Sequence, residues 1–152
     1  MLALNLPIFP AKVTERKGKK LIFDLVRRKY VALTPEEWVR QHFVHYLITE
    51  KGYPAELVAN EVAIKLNQTN KRCDTVVYDR YLTPVVVVEY KSPGIEITDR
   101  VFDQIVRYNM VLTVPYLMVS NGLSHYCCQI DYKTQTYSFL EDIPPYEDLT
   151  TP

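Results

Sequence analysis

No stretch of this sequence approaches the ~20 consecutive apolar residues that a membrane-spanning helix needs, which excludes a helical membrane protein. Residues 1–10 are apolar but have neither a basic start nor a small-residue cleavage pattern, so they make a poor secretion signal. The expected location is cytoplasmic. Cysteine is scarce: Cys73, Cys127 and Cys128 are odd in number, and their spacing fits neither a disulfide framework nor a zinc site. Reduced thiols are the simple expectation. There are four glycines and no GxxxxGK[ST] phosphate loop, so this polypeptide cannot carry an ATP-driven motor step. Eighteen basic residues balance eighteen acidic ones. A net charge of zero gives no general attraction for nucleic acid, and any such role must rest on a local patch. Internal repeats and low-complexity tracts are absent.

What is present describes an ordinary globular chain. It is 47% hydrophobic and 24% charged, with 152 residues, enough for one domain with a sizeable core. The expected organisation is a single domain over 1–152: an extension with a hairpin (1–30), a core (31–140) and a tail (141–152). Residues 1–11 read as extended. Residues 12–24 read as a hairpin turning at Lys17-Gly18-Lys19. Arg27, Arg28 and Lys29 form a basic cluster, simplest as a solvated surface, with phosphate contact the alternative.

Thr34-Pro35-Glu36-Glu37 starts a helix: Thr34 can cap, Pro35 suits the first helical position, and Glu37 completes a capping box. The helix runs to about Lys51, with Gly52 to end it and Val39, Phe43, Tyr46 and Leu47 facing the core. Strands follow over 60–66, 71–79 and 84–90, meandering as neighbours. The unbroken run Val85 to Val88 marks the last as a central strand covered on both faces. A second helix spans 98–112, with Val101, Ile105, Tyr108 and Leu112 as its apolar stripe. Residues 116–120 form another strand, Asn121-Gly122 a tight turn, 123–130 a strand, and 133–140 its partner. The tail from Asp142 reads as loose or draped over the surface. The order predicts an α/β fold with a mixed β-sheet flanked by α-helices.

Chemistry concentrates where the valine run meets charge. Asp74 and Glu89, fifteen residues apart on adjacent strands, can reach one end of the sheet together. Two carboxylates on rigid strands offer hard oxygens suited to Mg²⁺ or Mn²⁺, with the Tyr90 carbonyl as a further ligand. Lys91, two residues past Glu89, shares its face. Its ammonium can orient the attacking water or stabilise charge building on a phosphate. Each charge taken alone also suits a plain ion pair or a strand-end acid.

These residues resemble a known signature. Asp74 followed by Glu89-Tyr90-Lys91 is similar to the PD-(D/E)xK nuclease motif, with Cys73 in the place of the proline, and Gln104-Ile-Val-Arg-Tyr108 is similar to its QxxxY motif. That motif marks the branch containing exonuclease domains of recombination helicases and the nuclease domain of type I restriction motor subunits. With Thr34-Pro-Glu-Glu-Trp-Val-Arg-Gln41, Lys51-Gly-Tyr-Pro54, Arg72-Cys-Asp74, Val88-Glu-Tyr-Lys-Ser-Pro93 and Val119-Ser-Asn-Gly122, the chain resembles the N-terminal domain of type I restriction enzyme R proteins over residues 30–130.

The resemblance implies a restriction-endonuclease-like fold and Mg²⁺-dependent hydrolysis of DNA phosphodiester bonds, in restriction, defence or DNA processing. It makes Asp74 and Glu89 metal ligands and Lys91 the residue that positions the attacking water. It calls for a glutamate on the first helix, Glu37 or else Glu36, with Glu61 a further candidate. It makes Gln104 and Tyr108 contacts to DNA or braces of the site, where periodicity alone puts Tyr108 in the core. Arg72 and Arg107, with Lys65, Lys71 and Arg100, are candidates for phosphate contact. Implied partners are DNA and other restriction or helicase subunits, with no membrane; the oligomeric state stays open, a dimer included.

Two other readings remain. One is a catalytically inactive nuclease fold that binds DNA or protein. The other is a thiol enzyme using Cys73 or Cys127 with His125, against which buried, structural cysteine is the simpler account.

Overall fold

The computed structural model describes residues 2–66 and 68–149. Its first unit is a three-stranded antiparallel sheet of β1 (Val13–Arg16), β2 (Lys19–Asp24) and β3 (Lys29–Ala32). The hairpin turns where the sequence places it, with Lys17 at φ 52° and Gly18 at φ 76°. The third strand was not anticipated, because its four residues hide behind the basic cluster. That cluster is only partly solvated. Arg28 and Lys29 are exposed, but Arg27 folds back onto Asp24 and Glu37.

Helix α1 (Pro35–Glu50) begins on the Thr34 cap, whose hydroxyl accepts the Glu37 N–H at 3.0 Å. The other half of the expected capping box does not form, since the Glu37 carboxylate turns inward instead. Then come β4 (Val58–Leu66), β5 (Thr69–Tyr78) and β6 (Pro84–Tyr90), neighbours in an antiparallel meander. Helix α2 (Asp99–Asn109), capped by Thr98, leads through a 3-10 turn at Met110–Leu112 to β7 (Tyr116–Ser120). β7 lies parallel to β6, and β8 (His125–Asp131) and β9 (Thr136–Phe139) complete a six-stranded sheet in sequence order.

The parallel pair β6–β7 is buried on both faces, which is why its strands read as continuous apolar runs. Val86, Val88 and Met118 pack with Val39, Phe43 and Leu47 of α1. Val87, Leu117 and Val119 pack with Phe102, Ile105 and Val106 of α2. The turn into β8 is tight for a steric reason. Gly122 sits at φ 87°, and a Cβ there would lie 2.7 Å from the Leu4 side chain.

The tail departs from expectation. Ile143 and Leu149 are buried in the core on the α1 side, and a short helix α3 (Tyr146–Leu149) forms. Tyr53 donates its hydroxyl to the Pro144 carbonyl at 2.9 Å, and Tyr146 donates its own to Tyr78 at 2.9 Å. Apolar residues spaced between prolines supply the anchor that proline content alone obscured.

Candidate active site

The β5–β6 ladder runs antiparallel through Val77–Val86 to Thr75–Val88. Asp74 and Glu89 are the next residues on the two strands beyond the last pair. There the Tyr90 peptide N–H donates to Asp74 Oδ2 at 2.9 Å, so a backbone donor of the central strand holds one oxygen of the acid. Among the described residues, no protein donor reaches the other oxygen. Burial pushes the Asp74 carboxyl above its ordinary range, and the Glu61 charge adds to that. The Tyr90 N–H, Arg40 and Lys91 pull the other way without reversing it. Just past the end of β6, Lys91 Nζ stands 3.6 Å from Glu89 Oε2, with both side chains partly exposed. This is the same-face pair that the i, i+2 spacing predicts.

Asp74 opens on a cleft of about 440 Å³ shared with Arg27, Glu37, Arg40, Glu61 and Tyr90. Glu37 is buried, and its carboxylate accepts four hydrogen bonds. Oε1 takes Arg27 at 2.9 Å and Arg40 Nη2 at 2.7 Å; Oε2 takes Arg40 Nε at 2.9 Å and Gln41 at 2.8 Å. Desolvation resists the charge, yet these donors hold the carboxyl below its ordinary value. Glu36, the alternative on the same helix, is exposed at the rim of this cleft.

Arg40 is the residue the sequence did not reveal. Besides Glu37, it donates to Glu61 Oε1 at 3.0 Å and to the Asp74 backbone carbonyl at 2.8 Å. A lone arginine on a helix face carries no signal. Its i, i+3 spacing from Glu37 was the available clue. Glu61 also accepts from Arg72 at 2.9 Å. It holds φ 55° within β4, and the ladder steps from Asn60–Thr75 to Val62–Cys73 around it. A non-glycine residue in the left-handed region inside a strand is uncommon and strained.

The remaining candidates do not join this cleft. Glu89 and Lys91 are not among its lining residues. Gln104 and Tyr108 belong to α2, which packs on the opposite face of the sheet from α1. Tyr108 is 68% exposed and is not in the core, whereas Ile105 and Leu112 of the expected stripe are buried and Phe102 and Val106 fill the rest of that face. The Tyr108 ring instead stacks over the ammonium of Lys71, which also donates to the Tyr108 carbonyl at 2.9 Å. Lys71 is thereby buried rather than available as a surface cation, and burial depresses its pKa. Arg72 and Arg107 are exposed but paired, with Glu61 and Asp103. No group of three or more His, Cys, Asp or Glu side chains among the described residues is arranged to hold a metal ion.

The thiol reading fails on geometry. His125 bonds Ser120 Oγ through Nδ1 at 2.7 Å and the Asn5 carbonyl through Nε2 at 2.9 Å, so both ring nitrogens are engaged away from Cys127. Burial pushes the Cys127 thiol up to about 12, far from a thiolate at neutral pH.

A mixed sheet covered by one helix on each face, with acids on its adjacent strands β5 and β6, defines a restriction-endonuclease-like α/β domain. The profile of the family described as type I restriction enzyme R protein N terminus matches residues 35–144, and the chain belongs to that family. Among solved structures, it resembles a fragment described as an HsdR subunit of a type I restriction enzyme from Vibrio vulnificus YJ016. The sequence identity is 20% and the TM-score 0.53, over 77% of this chain and 24% of that one. The likeness is one of fold, and this chain spans about a quarter of the length of that relative. No curated protein matches the sequence. No helix among the described residues is long and apolar enough to cross a membrane.

Proposed function

We propose that this domain is a metal-dependent nuclease of the PD-(D/E)xK type that hydrolyses DNA phosphodiester bonds, in a restriction, defence or DNA-processing role. The observation that carries the proposal is the end of the β5–β6 ladder. The ladder closes at Thr75–Val88, so Asp74 and Glu89 follow it on neighbouring strands, and Lys91 stands 3.6 Å from the Glu89 carboxylate. Adjacent strands thus carry the two hard-oxygen donors on rigid backbone, Asp74 on β5 and Glu89 on β6.

That donor set fits Mg²⁺ or Mn²⁺, ions that accept few protein ligands and keep several waters. Asp74 fits in particular, because among the described residues one of its carboxylate oxygens has no protein donor. Glu37 does not fit as a ligand, because all its acceptor positions are filled. Its role here is to hold Arg40 against the Asp74 peptide. Asp74 and Glu89, with the Tyr90 carbonyl, would hold the ion. A bound ion would supply Lewis-acid stabilisation of charge developing on the phosphate. Lys91 orients the attacking water through its ammonium, which Glu89 keeps in place. Gln104 and the exposed Tyr108 ring meet the nucleic acid from the α2 side, with Arg72 and Arg107 as phosphate contacts. Partners on this reading are DNA and other subunits of a type I restriction system.

The test is cleavage of duplex, single-stranded and branched DNA with Mg²⁺ or Mn²⁺. Activity should disappear in Asp74→Ala and Lys91→Ala while the circular dichroism spectrum stays unchanged. A folded wild-type protein that takes up neither ion and cuts none of the three substrates removes the proposal.

A second reading, a nuclease fold without catalysis, is favoured by Arg40. Its guanidinium already supplies positive charge among Glu37, Glu61 and the Asp74 peptide. It predicts metal-independent DNA binding that survives Glu89→Ala.

A further inference from the structure

The N-terminal sheet lies ahead of residues 35–144, the segment that matches the family. It nevertheless supplies a residue on which the candidate site depends. Asp24, the last residue of β2, is completely buried at 0% exposure. A buried carboxylate is tolerated only where its oxygens are satisfied. Here Oδ1 accepts the Val26 and Arg27 peptides at 2.8 and 2.9 Å, and Oδ2 accepts Arg27 Nε and, at 3.0 Å, the Asn60 amide.

Two chains of hydrogen bonds leave that carboxylate, and both end on Asp74. In the first, the Tyr90 hydroxyl donates to Thr75 Oγ1 at 2.9 Å, Thr75 donates to Asn60 Oδ1 at 2.7 Å, and Asn60 donates to Asp24. Every donor points toward Asp24, so the anion fixes the polarity of the whole series. Tyr90 in turn presents its peptide N–H to Asp74 Oδ2. In the second, Arg27 joins Asp24 to Glu37, Glu37 holds Arg40, and Arg40 donates to the Asp74 carbonyl. Asn60, Thr75 and Tyr90 are all buried, so water does not substitute for any link of the first chain.

We propose that Asp24 is a positioning residue of the nuclease site, holding the Asp74 carboxylate through Asn60, Thr75 and Tyr90 and the Asp74 peptide through Arg27, Glu37 and Arg40. The N-terminal sheet is then part of the site rather than an appendage to it. The proposal rests on the reading of Asp74 as a site acid, but the arrangement it describes exists without metal.

The test therefore reads the arrangement directly. Amide hydrogen exchange of the full-length protein is followed by NMR in the wild type, Asp24→Asn and Tyr90→Phe. Loss of the anchor should lower protection of the Tyr90 amide by about ten-fold or more, relative to Val86 and Val88 on the same strand, because local opening exposes one hydrogen bond and not the strand. A purely structural Asp24 would lower all three amides together, and that outcome, or no change, overturns the proposal. If Asp24→Asn does not fold, Tyr90→Phe decides, since it removes one oxygen and no charge. Mn²⁺ titration runs alongside. The wild type should bind the ion and the two variants should bind it more weakly. A wild type that takes no Mn²⁺ and cuts no DNA ends the nuclease reading, while the exchange result still decides for or against Asp24.

Discussion

Glu37 separates two accounts of one residue by magnitude. As a capping-box partner it would contribute about 1 kcal/mol. In the structure it is instead the shared anion of two arginines, with side-chain exposure of 6% against 8% for Arg40 and 19% for Arg27. Truncation to alanine removes the buried acid that the two guanidiniums share, leaving Arg27 only Asp24 and Arg40 only the half-exposed Glu61. Breaking a buried pair by removing one partner costs about 3–5 kcal/mol. For a domain of this size each kcal/mol moves the melting temperature by about 2–4 °C. Glu37→Ala should therefore melt about 6–20 °C below the wild type, measured by differential scanning calorimetry and checked by urea unfolding. Glu36→Ala, on an exposed neighbour, should stay within about 0.5 kcal/mol. Arg40→Ala added to Glu37→Ala should cost much less than it does alone, because the two residues share one network. A drop below about 4 °C for Glu37→Ala would return the residue to a capping role and dissolve the ionic account of the cleft.

The same network fixes the direction of acid sensitivity. Asp24, Glu37 and Glu61 each resist desolvation, but their arginine and amide donors hold their carboxyl pKa values below the ordinary ones. Their contribution is complete above the unfolded carboxylate value near ~4 and is lost as pH falls through their folded values. Asp74, with its pKa raised by burial, runs the opposite way and offsets part of the loss. Unfolding free energy in urea should thus decline as pH falls below about 4, and a flat profile there contradicts the assignment. The thiols make a separate prediction. Cys127 and Cys128 are buried, with their pKa values pushed up to about 12, so iodoacetamide at pH 8 should label neither in the native protein and both in urea. Native labelling at the rate of the unfolded chain would mean that the core beneath β8 is open.

Much of the architecture was legible because its signals are local. The Thr34 cap with Pro35, the valine run, and the apolar stripe from Val101 each specify an element locally, and α1, β6 and α2 form there. The pairing of Glu89 with Lys91 was legible for the same reason, as strand alternation makes i and i+2 neighbours. What was hidden depends on residues far apart in sequence. β3 exists because Ile22 and Val31 pair across a turn stabilised by Asp24, and four residues carry too little periodicity to announce it. Helical spacing put Tyr108 in the apolar stripe, but Val106 and Phe102 took the buried positions, leaving the ring to Lys71. Arg40 and Asp24 gave no signal because their meaning lies entirely in what they touch.

Overall charge misled for a related reason. The balance of eighteen against eighteen looks like an absence of electrostatic design. In the fold, it is an alternation along one path: Asp24, Arg27, Glu37, Arg40, Glu61 and Arg72 are linked in that order, each cation between or beside acids. Such a path costs desolvation at every buried member, and it adds little stability over a packed apolar equivalent. What it does supply is definition, since moving any one charge leaves its neighbours unsatisfied. It also occupies the basic side chains that a phosphate backbone would otherwise recruit. Arg27 and Arg40 are committed to carboxylates and Lys71 to the Tyr108 carbonyl, which leaves the exposed Arg72 and Arg107, in surface pairs with Glu61 and Asp103, as the contacts still open to phosphate. Phosphate contacts dominate affinity for DNA. On the proposed function, then, this domain holds its catalytic groups rigidly but grips DNA weakly by itself. The arginines that the two ideas compete for serve the site first, which leaves few free cations for a duplex.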